Sequence, residues 1–224
     1  MRTFYAVLII VGASLSGLAQ QSSTGWRVLF DGKTLDAWRG YKTDKVPAGW
    51  RIADGSIVKD APVGDIVSKD EFGDFELELE WKIGEAGNSG IFYRGTEEYD
   101  HIYWSAPEYQ LLDDIKATDN KTRLTCAGAA YALYPSPAGH LKPVGQWNRT
   151  RIVAKGPHVE HWLNGVKVVD ASLDAPEAMA GIRKRWSIVP AVYEMLSKQP
   201  RKDCPISLQN HGDEAWFRDI KIRR

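Results

Sequence analysis

From Phe75 to Ile83 the chain alternates strictly, with Phe75, Leu77, Leu79 and Trp81 on one set of positions and Glu76, Glu78 and Glu80 on the other. A period of two marks a strand with one dry face and one wet face, and a helix cannot gather such a set on one side. Similar signals recur at residues 26–30, 50–53, 56–58, 91–94, 109–112, 129–133, 159–163, 166–169 and 215–222, each bounded by Gly, Pro, Asn or Asp. Asp54-Gly55 and Asn164-Gly165 sit between adjacent runs, and these pairs supply the positive φ angles of a two-residue hairpin. The pattern predicts an all-β, two-sheet sandwich. One stretch departs from it. Residues 176–199 carry Ala178, Met179, Ile182, Trp186, Val189, Val192, Met195 and Leu196 at helical spacing, interrupted by Pro190, which predicts two short helices inserted at about 176–200, before the last strands.

The chain has 224 residues, a length that one all-β domain can fill. Its start, Met1-Arg2-Thr3 followed by an apolar run from Phe4 to Leu15 and small residues at Gly17 and Ala19, predicts a signal peptide over residues 1–19. The run is too short to span a bilayer, and no Cys follows the cut to take a lipid anchor. Residues 20–224 are then expected as a single domain in a secreted or periplasmic protein. In that compartment a bridge between Cys126 and Cys204 is permitted and not required. With 29 basic and 29 acidic residues there is no electrostatic case for nucleic acid or an anionic membrane surface.

Two polar stretches point to a site. Glu108 and Gln110 alternate in one strand-like segment, and Gln209 and His211 in another, 207–212, so each pair should share a sheet face. A carboxylate, an imidazole and two amides together can move protons and bind sugar hydroxyls. Nine Trp and nine Tyr add flat faces on which pyranose rings stack. Glu76, Glu78 and Glu80 raise the alternative of a conventional glycosidase, whose retaining form needs two carboxyls about 5 Å apart. A solvated outer strand face explains the same alternation. Glu108, Asp113, Asp114 and His211 are suitable ligands for a divalent ion, but no ligand set of fixed spacing is present. Serine-nucleophile and phosphate-loop motifs are absent from the sequence.

Several blocks occur in an order that resembles the 3-keto-disaccharide hydrolase family: Phe30-Asp31-Gly32-Lys33-Thr34-Leu35, Asn88-Ser89-Gly90-Ile91-Phe92-Tyr93-Arg94, Glu108-Tyr109-Gln110, Gly145-Gln146-Trp147-Asn148, His161-Trp162-Leu163-Asn164-Gly165, Leu208-Gln209-Asn210-His211-Gly212 and Trp216-Phe217-Arg218. The resemblance implies a concanavalin A-like jelly-roll sandwich and an enzyme cleaving glycosides already oxidised to a ketone at C3, by hydrolysis or by elimination. It carries Arg94, Glu108, Gln110, Gln209 and His211 over as site residues. Glu108 or His211 would act as base or hold a divalent ion, Arg94 would add positive charge, and Gln110 and Gln209 would bind hydroxyls. Asp113 and Trp162 are further substrate contacts on this reading. Asn210 departs from the family pattern, which more often has Asp; an Asp there could orient the imidazole with its charge. A non-catalytic, lectin-like carbohydrate-binding module is the alternative on the same fold.

Overall fold

The computed structural model describes residues 25–185 and 203–224, and in these two antiparallel sheets pack face to face. The larger sheet runs in the order β11 (Val166–Ser172), β10 (His158–Leu163), β9 (Asn148–Lys155), β6 (Phe75–Ile83), β13 (Ala215–Arg223), β4 (Ser56–Lys59) and β3 (Trp50–Ala53), with β1 (Arg27–Phe30) also paired to β13. The smaller one runs β2 (Trp38–Gly40), β5 (Ile66–Phe72), β12 (Cys204–Leu208), β7 (Asn88–Phe92) and β8 (Glu108–Leu112). This is the sandwich predicted from the strand pattern. Both hairpins form at the expected turns, where Asp54, Gly55, Asn164 and Gly165 all have positive φ.

The alternation of β6 does what its period dictates. Phe75, Leu77, Leu79, Trp81 and Ile83 are buried between the sheets. On the outer face Glu76 pairs with Arg151 and Arg223, Glu78 with Arg149 and Lys221, and Glu80 with Arg218. Partial burial pushes the Glu78 carboxyl up, but Arg149 and Lys221 outweigh it and hold it below the usual carboxylate range. These carboxylates are committed to cross-strand ion pairs.

Three expectations need correction or restriction. Residues 129–133 do not form a strand; Ala130 makes isolated bridges to Tyr109 and Tyr134. Left-handed backbone at Gly128 and Ala132 interrupts any longer ladder. Of the two expected helices, one forms as α1 (Pro176–Arg185), and the second, with the signal peptide over residues 1–19, lies outside the described residues. Cys126 and Cys204 are both buried and unbridged. Among the described residues no helix is long and apolar enough to cross a membrane.

One polar side chain ties the larger sheet from inside to the segments that follow β7 and β8. His161 on β10 is fully buried, with Nδ1 at 3.0 Å from the Gly128 carbonyl and Nε2 at 2.9 Å from the Tyr93 hydroxyl. A carbonyl only accepts, so Nδ1 carries the proton and Nε2 accepts from Tyr93. Burial pushes the imidazole pKa down to about 4. The unfolded chain, titrating near 6.5, therefore takes up a proton that the folded one refuses, and stability falls as pH drops from 6.5 towards 4. Between pH 7 and pH 5 this group should cost about 2 kcal/mol in urea unfolding. His161→Phe should remove that part of the slope, and at pH 7 should itself cost about 2 kcal/mol or more through the lost hydrogen bonds.

Candidate functional site

On β8 of the smaller sheet apolar residues point inward and polar ones outward. Register pairs Gly90 with Gln110 and Phe92 with Glu108. Directly paired residues share a face, so Gly90, Glu108 and Gln110 look away from the core that Ile91, Tyr109 and Leu111 enter. Two irregular segments roof this face, residues 93–107 and 113–131. The second runs along the free edge of β8: Gln110 N donates to Ala129 O, Gly128 N to Gln110 O, and Tyr131 N to Glu108 O. That pairing satisfies an edge otherwise left open. All five residues of β8 are consequently buried, including Glu108 at 4% and Gln110 at 1% exposure.

The second polar stretch reaches the same place by a turn. β12 ends at Leu208, and Gln209 N donates once more to Gly90 O at 2.9 Å. Asn210 then bonds outward, its N–H to Asp65 Oδ1 at 2.6 Å, and its side-chain oxygen accepts from Gly212 N at 3.1 Å. This Asx turn, with Gly212 at φ 94°, ends the strand and swings His211 round. His211 Nε2 meets the Asn88 amide at 3.4 Å, while Nδ1 lies 4.0 Å from Asp213 Oδ2, the oxygen that accepts from Asn88 N. Asp213, rather than residue 210, is the carboxylate beside the imidazole.

Glu108, Gln110, Gln209 and His211 thus line one cavity of about 280 Å³. Its remaining walls are Asn88, Tyr103, Asp119 and Tyr131. Gly90 forms part of the floor; a Cβ there would lie 2.5 Å from Glu108 Oε1 and 3.2 Å from Gln209 Oε1. Two buried acceptors, Gln110 Oε1 and Gln209 Oε1, have no hydrogen-bond partner. Leaving such an atom dry costs about 1–3 kcal/mol, so the cavity is built to receive donors.

Three candidate residues stand elsewhere. Arg94 is buried with its guanidinium on the Gly156 carbonyl and Asp74. Asp113 caps a turn, accepting from the backbone N–H groups of Ala86, Ile115 and Lys116. It borders a second cavity of about 630 Å³ beside residues 138–146, where Glu85 is paired with Lys116 and Asp114 with Arg123. That larger space gathers none of the proton-transfer candidates, so the smaller cavity is the candidate site. Trp162 lies on the outer face of the larger sheet, bonded to Glu160 and flanked by Arg151 and Lys167. Asn88, on the floor beside Gly90, was legible as part of the Asn88-Ser89-Gly90 block; Tyr103, Asp119 and Tyr131 come from irregular segments that give no periodic signal.

The acceptor groups in the cavity, a carboxylate, an imidazole and two amide oxygens, suit sugar hydroxyls and also an oxygen-seeking divalent ion. Among the described residues, the three-residue group of closely spaced metal-ligand types is His158, Glu160 and Asp170, outside this cavity. Lys167 Nζ already pairs with both of its carboxylates.

A buried charge supports the turn that carries His211. Lys59 on β4, at 0% exposure, donates to Asn210 Oδ1 at 3.1 Å. Burial lowers its pKa, against the opposing pull of Asp213, Asp60, Asp65 and Glu214. Burial likewise raises the Asp65 carboxyl to about 6, against the Asn210 N–H bond and Lys59. Asn210 therefore bridges an ammonium with its side chain and a carboxylate with its backbone.

Comparison with known proteins agrees with the sandwich fold. Residues 25–223 match the model of the 3-keto-alpha-glucoside-1,2-lyase-like domain. The chain is 34% identical over 229 residues to a 3-keto-disaccharide hydrolase of Bacteroides thetaiotaomicron, covering 89% of this chain and 78% of that one. A candidate glycosyl hydrolase from Parabacteroides distasonis superposes with a TM-score of 0.80 at 28% identity, over 90% of this chain and 94% of that one. A carbohydrate-binding module of Bacillus subtilis, at TM-score 0.52 and 13% identity over 84% and 96% of the two chains, shares the fold.

The Asp65 arrangement has a measurable consequence. Its folded pKa lies above the unfolded value of about 3.9, so ionisation costs stability that is present below pH 4 and lost as pH rises through 6. Asp65→Asn keeps the acceptor for Asn210 N and should raise the unfolding midpoint at pH 7 by about 3 °C or more, on the scale of 2–4 °C per kcal/mol. The gain should shrink as pH falls to 4 in a thermal-melt series.

Proposed function

The chain belongs to the 3-keto-alpha-glucoside-1,2-lyase-like family, and from that premise we propose that it cleaves the glycosidic bond of 3-keto-glycosides by taking the proton at C2. Glu108 is the base and His211 serves the leaving group. The observation that carries this reading is the convergence of both residues on one cavity with two unpartnered amide oxygens.

The chemistry needs little more than these groups. A ketone at C3 acidifies the C2–H, so a carboxylate held against it can remove the proton. The electron pair moves to the C3 oxygen as an enolate, then returns to form C1=C2 as the C1–O bond breaks and its electrons leave with the glycosidic oxygen. That oxygen takes a proton from the imidazolium of His211. Addition of water across C1=C2 completes a net hydrolysis; without it the outcome is elimination. Glu108 lies on the buried floor and His211 at the rim, its side chain 52% exposed, which matches a base on the ring and an acid on the departing group. Gln110 Oε1 and Gln209 Oε1 accept from ring hydroxyls. With Arg94 held elsewhere, the donor-bearing groups that line the cavity around the enolate oxygen are the Asn88 amide and the hydroxyls of Tyr103 and Tyr131. On this reading the enzyme works outside the cytoplasm, as the leader-like residues 1–19 imply.

Purified protein should release aglycone from a 3-keto-glucoside and not from the parent glucoside, with a primary isotope effect when C2 carries deuterium. Glu108→Gln and His211→Ala should each lower kcat by about 10²–10⁴-fold while the melting curve holds. Unchanged turnover in both variants would sink the assignment, and saturable sugar binding without product would favour the lectin-like reading. Gly90→Ala should lower kcat/KM by at least about tenfold, since its methyl group displaces the Glu108 carboxylate from the floor.

A further inference from the structure

The cavity's volume of about 280 Å³ limits what it can enclose. Pockets that bury a drug-sized ligand span roughly 300–1,000 Å³, so this one accommodates a single hexose ring and leaves any second ring outside. What lies along its rim therefore decides which leaving group is held.

One wall of the cavity is Tyr103, in the 3-10 turn Ile102–Trp104 of the roofing segment 93–107. That segment is firmly seated. Below it, Ile102 and Ala106 pack with Phe92 and Val67 on the outer face of the smaller sheet. At its flank Arg39 forms a two-pronged pair with Glu97, at 2.8 and 2.5 Å, and the Tyr41 hydroxyl donates to the Tyr99 carbonyl at 2.7 Å. From Tyr103 an aromatic stack leads outward. The His101 ring lies nearly parallel to it, with centroids 5.0 Å apart and 14° between planes, and Trp104 stands edge-on to both. His101 is exposed, and Tyr103 and Trp104 are half-buried. Neither His101 nor Trp104 belongs to a buried apolar cluster, so packing alone does not account for three rings gathered here.

We propose that His101, Tyr103 and Trp104 form a leaving-group subsite that stacks a second hexopyranose ring, making the departing sugar a determinant of specificity. This rests on the keto-glycoside reading of the cavity. An aromatic face suits the C–H face of a pyranose whose hydroxyls lie equatorially, and a short alkyl aglycone offers no such face. Continuity carries the argument: the stack starts at Tyr103 in the cavity wall and ends at the exposed ring of His101.

The test compares kcat/KM for a 3-keto-disaccharide of two glucose units with that for methyl 3-keto-glucoside. In His101→Ala and Trp104→Ala the ratio of the two should fall about five- to tenfold, the size of one aromatic contact. The loss should appear in KM for the disaccharide rather than in kcat. His101→Phe, which keeps the flat ring, should restore the ratio, a rescue that a general loosening of the segment would not give. A ratio equal to the wild type's in both alanine variants overturns the subsite alone. Failure of the wild type to turn over either substrate overturns the keto-glycoside reading and the subsite with it.

Discussion

A buried amide oxygen without a donor is among the more costly features a β-sandwich can place on a sheet, and here two stand together. Much of the surrounding structure serves to keep them so. Gly90 withholds a side chain that would fill the gap, and β8 is buried on both faces, with the segment along its edge pairing its outer backbone groups. The amides can therefore be satisfied by what enters. A site of this kind is preorganised for hydroxyls because the protein leaves the acceptors no internal alternative.

The treatment of charge elsewhere makes the contrast plain. On the outer face of β6 each glutamate has cationic partners across the strand. Under the His211 turn, Lys59 and Asp65 are joined through Asn210, which gives that residue a structural task. An Asp at that position would add a second carboxylate beside Asp65 over the same ammonium. The imidazole meanwhile has its neighbouring carboxylate in Asp213.

Fold class was legible because sheet periodicity survives wherever one face is wet, as in β6. It failed where that condition fails. β5 breaks its own pattern at Ser68-Lys69-Asp70, and β12 contains Pro205, which argues against a central strand. The structure accommodates Pro205 because β12 pairs with β7 only at Ser207 and Leu208, and its register to β5 slips there. Glu108 and Gln110 could be placed on one face from alternation alone. Gln209 and His211 converge for a different reason, a turn set by Asn210 and Gly212. Arg94, carried over with its block, shows that adjacency in sequence to a site strand does not say where a long side chain ends.

The two roofing segments differ from the floor in how they can change. The floor is written in strand register, so a shift of one residue would turn its polar groups into the core. Tyr103, Asp119 and Tyr131, by contrast, hang from segments of irregular backbone that can lengthen or be exchanged while the sheet persists. The architecture therefore gives the cavity two kinds of wall: one on β7, β8 and the end of β12 that strand register fixes, and one on loops whose length can change while that register stands.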